Sequence, residues 1–558
     1  MSRGVTDSGK NCYGTPISDL KAKTAKEKEL LLSKFSDKVS GYNIMWECQW
    51  NIFRNENKTL IDEFWRRSKL DPMRPLKRLI PRVSVRGGFV ELYRLSFQSD
   101  EMYDLHYYDA NSLYPWIAQD TLFPLGEYKI ILEKDLQDSI QIKENKIFYL
   151  DQSCDSDVAM VAVLAPSDLS KPFLPYRYND QVFYGNCFSC IKTKHCHGCT
   201  HKTINKRRFV SVWTVLELEY SLTLGYKILY FYELYHYERQ DKVMSDFVTA
   251  MASYRLKNSN LLANVPVAQH DQFCKNLNAK MKFLDPNLQL KPSNIVDNKP
   301  QKEFFKSLLN GVLGRFALHS NFSNRVFLRS QYELDALMAN PNIEILEFFP
   351  LGSLMEVETM RNSALNTSKE GCLFYTALIN AKSRIYMHQL IMKLEQEKCQ
   401  PIYCDTDSLL FAAPKNYKCC FEIGPAFGQF KPVLGESAKI KKFYSLGPKN
   451  YTLLYEKDGV ESYVTKIKGL SIGCDNLQNV ITPTTYEQFL ASYFEDEVMK
   501  TYIPQQRQAV NPATKSFKYL MLSQKFENEL HLKRFILKKH KSHVTYPYGY
   551  NFFNHPSI

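Results

Sequence analysis

Apolar residues recur along this chain in two rhythms, and the rhythms lay out its elements. From Tyr103 to Tyr108 an aromatic and apolar run leads into Asp109 and breaks at Pro115, which predicts a strand closed by a turn. A similar short run surrounds Tyr403-Cys404-Asp405-Thr406-Asp407-Ser408, with Ile402 before it and Leu409, Leu410 and Phe411 after it. This predicts a strand–turn–strand hairpin over 402–411. Residues 302–316 have helical spacing with no breaker before Gly311, and 376–397 reads as a second helix. Near the start, 15–40 is rich in Lys, Glu and Leu and predicts a helix, and the Trp-bearing stretch 42–50 predicts a strand. A connection over 71–82, punctuated by Pro and Arg, leads to Arg86-Gly87-Gly88. Helices mixed with short strands in this way imply an α+β architecture.

A length of 558 residues exceeds one compact core and predicts two to four domains. With 44% hydrophobic residues, several cores can be built and wholesale disorder is excluded. Lys and Arg number 72 against 59 Asp and Glu, a net charge of +13 that suits a phosphate-rich partner. No apolar run reaches membrane-spanning length and the start lacks the apolar core of a secretory signal, so no membrane association is expected. The 14 cysteines then indicate an intracellular, reducing compartment.

Two carboxylates at i and i+2 across a tight turn, Asp405 and Asp407, can converge on a hard cation that prefers oxygen ligands. Taken alone, Asp-Thr-Asp is also an ordinary hairpin turn. Tyr108-Asp109-Ala110-Asn111-Ser112-Leu113-Tyr114-Pro115 places another Asp at a strand end. Together the three carboxylates suffice for two divalent metals roughly 4 Å apart, one activating a hydroxyl and one neutralising triphosphate charge. Lys302, Lys306 and Asn310 stand at i, i+4 and i+8 on one helix face, a grip for triphosphate oxygens or a plain solvated face. Cys187, Cys190, Cys196 and Cys199 form C-x2-C-x5-C-x2-C with His195, His197 and His201 nearby. That spacing fits either a structural Zn2+ or free thiols in a basic loop.

D-x-x-S-L-Y-P from Asp109, K-x-x-x-N-x-x-x-G from Lys306 and Y-x-D-T-D-S from Tyr403, in that order, resemble motifs A, B and C of family B DNA polymerases. The protein-primed branch of adenoviruses, linear plasmids and polinton-type transposons is the most similar, over about 42–468. The resemblance implies a right-hand polymerase (palm, fingers, thumb) with insertions between motifs A and B and between B and C. It divides the chain into an N-terminal segment (1–85), first palm part (86–130), Cys-bearing insertion (131–282), fingers (283–318), second insertion (319–365), second palm part (366–478) and thumb (479–558). It implies two Mg2+ ions on Asp109 and Asp407 with Asp405 assisting, dNTPs as substrates, and Tyr114 as the ring that excludes a ribose 2′-hydroxyl. Lys302 and Lys306, with Asn310, would bind the incoming nucleotide. Gly87 and Gly88 would contact template, and Lys466 and Lys468 the primer-terminal phosphates. The partners implied are a DNA primer–template and a terminal protein primer, in replication of a viral or mobile element.

The chain departs from the family pattern in three places. Motif B has Leu313 where an aromatic is usual, Val85 replaces the aromatic before the Gly-Gly turn, and only 108 residues precede Asp109, too few for a three-acid exonuclease domain. An exonuclease-lacking polymerase, or a piece of a longer one, is therefore expected. The basic run 531–543 reads as a thumb element on duplex phosphates or as a solvated helix. Two other functions fit parts of the sequence: a catalytically decayed DNA-binding relic of a mobile element, and a metal-dependent nuclease. The nuclease requires neither Lys306 and Asn310 nor Tyr114.

Overall fold

The computed structural model describes residues 56–57, 79–317, 324–340, 343–351, 354–361, 372–468, 481–510 and 517–552. The chain divides into two compact units, 1–76 and 77–558, and nearly all described residues belong to the second. The helix expected over 15–40, the strand over 42–50 and its Trp46 lie outside the described residues.

In chain order, the elements that build the second unit begin with strands β1 (Val90–Leu92), β2 (Ser96–Gln98) and β3 (Tyr103–Ala110) and helix α1 (Leu113–Gln119). There follow β4 (Lys129–Leu132), β5 (Val158–Leu164), β6 (Phe209–Thr214), α2 (Val215–Thr223), β7 (Lys227–His236), α3 (Ser245–Lys257), α4 (His270–Met281) and α5 (Lys299–Arg315). Helix α6 (Leu373–Gln396) precedes the hairpin β8 (Gln400–Asp405) and β9 (Ser408–Pro414). The remainder comprises β10 (Phe430–Pro432), β11 (Lys439–Gly447), β12 (Asn450–Lys457), β13 (Val460–Lys466), α7 (Pro483–Phe494) and the long hairpin β14 (Lys500–Val510) and β15 (Phe517–Glu527). The expected α+β class is the one observed.

A nine-stranded sheet runs in the order β1-β8-β9-β3-β11-β12-β13, with β2 paired to β11 and β10 to β3. Strands β8 and β9 are buried on both faces, which explains their unbroken apolar runs. Cys404, Leu409, Phe411 and Ala413 point into one core with α1, α3, α4, α5 and α6. Tyr403, Leu410 and Ala412, of opposite parity, point into a second core shared with α7. A four-stranded sheet β6-β5-β7-β4 has its own core around Trp213, Phe173 and Val161. Residues 324–361 supply a separate three-stranded sheet.

Two local expectations change. Pro115 does not end a turn: it lies in the first turn of α1, where its missing N–H removes no helical bond. The run 531–543 is not a helix. It contains a two-residue strand, Phe535–Ile536, and a single 3-10 turn, Lys538–His540. Its Arg534 is buried against Glu91 at 3.0 Å, so this cation cannot serve duplex phosphates.

Candidate active site

Asp109 is the penultimate residue of β3, flanked by Ser408 of β9 on one side and Lys431 of β10 on the other. The β8–β9 turn is fastened to this strand end, because the Ala110 N–H donates to the Asp407 carbonyl at 2.8 Å. Within the turn Thr406 adopts a left-handed φ of 66°, a conformation that costs on the order of 1–3 kcal/mol. It is held there by its own N–H, which donates to the Phe89 carbonyl at 2.8 Å. Asp109 and Asp407 are thus brought side by side from parts of the chain nearly three hundred residues apart. Burial raises the Asp407 carboxyl to about 6, and the neighbouring charges of Asp109 and Asp405 push the same way. Crowded, half-buried carboxylates of this kind fit a divalent cation.

Asp405 faces elsewhere. Lys449 Nζ contacts both its oxygens at 2.8 and 3.0 Å, the Tyr403 hydroxyl donates at 3.0 Å and the Thr406 hydroxyl at 3.2 Å. Among the described residues the three carboxylates do not close into one group of mutually adjacent ligand atoms. The Asp405 charge is answered by Lys449 in the β11–β12 turn, and Lys431 Nζ similarly lies 3.2 Å from Asp109.

Tyr114 stands in the first turn of α1, half-buried. Burial raises its hydroxyl to about 12; Arg384 opposes the rise and Asp407 and Asp405 add to it. Lys302, Lys306 and Asn310 do lie on one helix, α5, which packs on α3 and α1. Lys306 pairs with Glu303 of its own helix at 3.1 Å, and Lys306 and Asn310 are exposed.

Gly88 is required by contact. A Cβ there would lie 2.6 Å from Thr406 Cγ2 and 2.9 Å from Thr406 Cβ, so only glycine allows the 86–89 segment to lie on the turn. The preceding carbonyls of Arg86 and Gly87 accept from Arg384 Nη1 at 2.9 and 2.6 Å. Arg384 also binds Glu217 at 2.7 Å, both fully buried. Arg86 is buried too, donating to the Val212 carbonyl and the Ser211 hydroxyl, and burial lowers its pKa to about 10. Lys466 and Lys468 are exposed at the end of β13. Lys468 lines a cavity of about 760 Å³ with Asn450, Ile467, Lys525, His531 and Lys533. The Lys533 amine is lowered by burial despite the pull of Glu91, with the Lys468 and Lys449 charges adding to the fall and Asp405 opposing it.

Of the four predicted zinc-ligating cysteines, three come together and one does not. Cys187, Cys190 and Cys199 converge with His201, whereas Cys196 is exposed and bonds the Lys194 carbonyl at 3.1 Å. The four-cysteine reading fails because Cys196 sits just past the left-handed Lys194 that ends the short helix Phe188–Thr193.

The sequence reading also missed Lys431, Arg384, Glu217, Glu91 and Arg534. Arg384 left a signal: it falls on the apolar stripe Ala377, Ala381, His388, Ile391 of α6, where a charge needs a buried partner. Lys431 left none.

The sheet that carries one Asp on a central strand and another in the adjoining hairpin turn, backed by helices on one face, is similar over its first part to a known polymerase family. Residues 72–268, which include Asp109, Tyr114 and the cysteine cluster, match the family model described as DNA polymerase type B, organellar and viral. Among solved structures, the phi29 DNA polymerase ternary complex with primer–template DNA and incoming nucleotides is 13% identical with a TM-score of 0.48. That alignment covers 80% of this chain and 62% of the phi29 chain. The post-translocation binary complex of phi29 DNA polymerase with primer–template DNA is 15% identical with a TM-score of 0.44, covering 85% of this chain and 65% of that one. This chain therefore spans less than two thirds of the phi29 polymerase. No curated protein matches the sequence.

Proposed function

We propose that the chain is a DNA-directed DNA polymerase that adds dNTPs to a primer 3′-hydroxyl, using two Mg2+ ions held chiefly by Asp109 and Asp407. The observation that carries the reading is the backbone bond from Ala110 to Asp407, which fixes those two carboxylates beside each other at the ends of adjacent strands. Bound metal would supply charge neutralisation on the triphosphate and acidify the attacking hydroxyl. The chain's own residues position the reactants. Tyr114 forms the floor under the sugar and excludes a ribose 2′-hydroxyl, while Lys302, Lys306 and Asn310 approach the triphosphate from α5. Gly87 and Gly88 offer bare backbone to the template strand. Lys468 and Lys533 line a cavity that, with Lys466 and Lys449 next to its lining residues Ile467 and Pro448, offers a basic surface to primer phosphates. In this reading Asp405 tethers Lys449 and contributes negative potential, a secondary role beside the other two carboxylates. The family's protein-primed habit extends the proposal to a terminal protein as primer and to a viral or mobile element as template.

The test is Mg2+-dependent extension of a labelled primer–template by the purified chain beside an Asp407→Ala variant. Extension with dNTPs that disappears in the variant supports the proposal. A wild-type chain that folds and binds DNA but extends nothing refutes it and favours the relic reading; shortening of the labelled strand favours the nuclease.

A further inference from the structure

The first half of the cysteine cluster is built on the short helix Phe188–Thr193, with Cys187 at its N-cap and Cys190 one turn on, so both sulfurs face the same side. The chain then doubles back to deliver Cys199 and His201. His201 Nδ1 lies 3.5 Å from Cys187 Sγ, 3.4 Å from Cys190 Sγ and 3.8 Å from Cys199 Sγ, and Cys190 Sγ lies 3.7 Å from Cys199 Sγ. A tetrahedral zinc with Zn–S near 2.3 Å and Zn–N near 2.05 Å requires S···S of about 3.8 Å and S···N of about 3.6 Å. The observed separations reproduce both. They are far from the ~2.05 Å of a disulfide. Cys187 and Cys190 are fully buried; besides these groups, Cys187 Sγ lies 3.6 Å from the Lys206 carbonyl.

We propose that Cys187, Cys190, Cys199 and His201 Nδ1 form a closed structural Zn2+ site, with Cys196 outside it. The site fastens the C-terminal segment to the β4–β7 sheet domain. The Asn186 N–H donates to the Tyr548 carbonyl at 2.8 Å and the Cys199 N–H to the Tyr550 carbonyl at 3.0 Å, so backbone beside two of the ligands carries that segment. Gly549 fits only because it lacks a Cβ, which would come within 2.4 Å of Cys187 Cβ. The same C-terminal stretch continues to Arg534 and Thr545, which bond Glu91 and the Leu92 carbonyl of β1, the strand paired with Asp405. The metal thus holds one end of a strap whose other end braces β1, the edge strand of the nine-stranded sheet. The inference does not depend on the chain being a polymerase.

The experiment is metal analysis of the purified, reduced chain, with Co2+ substitution followed by its visible absorption. About one zinc per chain and a tetrahedral, thiolate-bearing Co2+ spectrum are expected. Cys199→Ser and His201→Ala lose the zinc, His201→Cys retains it, and Cys196→Ser, an exposed change that leaves folding intact, retains it fully. Hydrogen exchange at the Cys199 and Asn551 amides rises when the metal is stripped, since Asn551 N–H is bonded to the Ser167 carbonyl at 2.8 Å. A wild-type chain without zinc and without a tetrahedral Co2+ spectrum overturns the site. Zinc lost from Cys196→Ser overturns the ligand assignment, and unchanged exchange on stripping overturns the anchoring role.

Discussion

Replacing Arg384 by Ala tests whether the turn beneath Thr406 is held by a buried charge. Arg384 and Glu217 are both fully buried, with Nη2 and Nε reaching one carboxylate oxygen at 2.7 and 3.2 Å. The other oxygen keeps its bonds from Thr214, but the first loses both of its donors in the variant. The carbonyls of Arg86 and Gly87 lose their shared donor as well. Breaking a buried pair from one side costs about 3–5 kcal/mol, because the remaining charge stays uncompensated. Against a total stability of about 5–15 kcal/mol, that loss is about a fifth or more for a typical domain. The assay is urea unfolding followed by tryptophan fluorescence, comparing midpoints at constant slope. A double variant, Glu217→Gln with Arg384→Met, removes both charges at similar volume and recovers much of the loss, since the isolated charge is gone. If Arg384→Ala falls within about 1 kcal/mol of the wild type, or the double variant is no more stable than the single, the pair does not hold the turn.

Other predictions follow from single contacts. Gly88→Ala drives a methyl to 2.6 Å from Thr406 Cγ2 and costs about 1–3 kcal/mol, partly relieved by Thr406→Ser, as thermal unfolding of the single and double variants will read. His388 is buried, accepting from the Tyr220 hydroxyl at 2.8 Å and donating to the Lys171 carbonyl at 2.9 Å, and burial lowers its pKa from 6.5 to about 4. The unfolded chain therefore binds the extra proton first, so this group's contribution is fully present above pH 6.5 and is lost as pH falls towards 4. At pH 5 the loss is about 2 kcal/mol, measured as the difference in pH dependence between the wild type and His388→Gln. If Tyr114 lies under the sugar as proposed, Tyr114→Val raises ribonucleotide incorporation relative to dNTP incorporation by at least tenfold, about 1.4 kcal/mol, in primer extension with mixed nucleotides. An unchanged ratio there removes Tyr114 from the sugar-selecting role.

The parts of the molecule legible in its sequence are those whose chemistry is local. The β8–β9 hairpin was readable because both strands are buried on both faces, so the apolar runs either side of Asp405 and Asp407 have no polar interruptions. Helices α5 and α6 were readable from spacing, to within a few residues at each end. Pro115 misled because proline reads alike at a turn and in the first turn of a helix, and only the left-handed Ser112 before α1 separates the two. Cys196 misled for a related reason. C-x2-C knuckles are recognised by spacing, which pairs Cys199 with Cys196, whereas His201 stands only one residue past Cys199. Three-dimensional return of the chain decides between them. The basic run after His531 looked like a phosphate-binding face because its charges are counted in sequence, whereas Arg534 is spent inside the fold on Glu91.

The illegible part has a common form, and that form bears on how the site is held. Asp109 and Asp407 are the residues with motif character, yet neither is positioned by its own motif alone. The turn bearing Asp407 is pinned from below by the Phe89 carbonyl and by Gly88 against Thr406. The 86–89 segment is in turn held by Arg384 from α6, whose counter-charge Glu217 belongs to the β4–β7 sheet domain. On the other side of the hairpin, β1 pairs with β8, and its Glu91 is neutralised by Arg534 from the C-terminal strap. Two fully buried ion pairs, each joining segments more than 160 residues apart, therefore bracket one acidic turn. Buried pairs contribute little net stability, because desolvation offsets most of their attraction, but a misplaced partner is costly. Their value here is geometric. They penalise any register of β1 or of the Gly-Gly segment that would shift Asp407 relative to Asp109. Long-range pairs of this kind follow no periodicity, and for that reason the framework of the site is visible only in the fold.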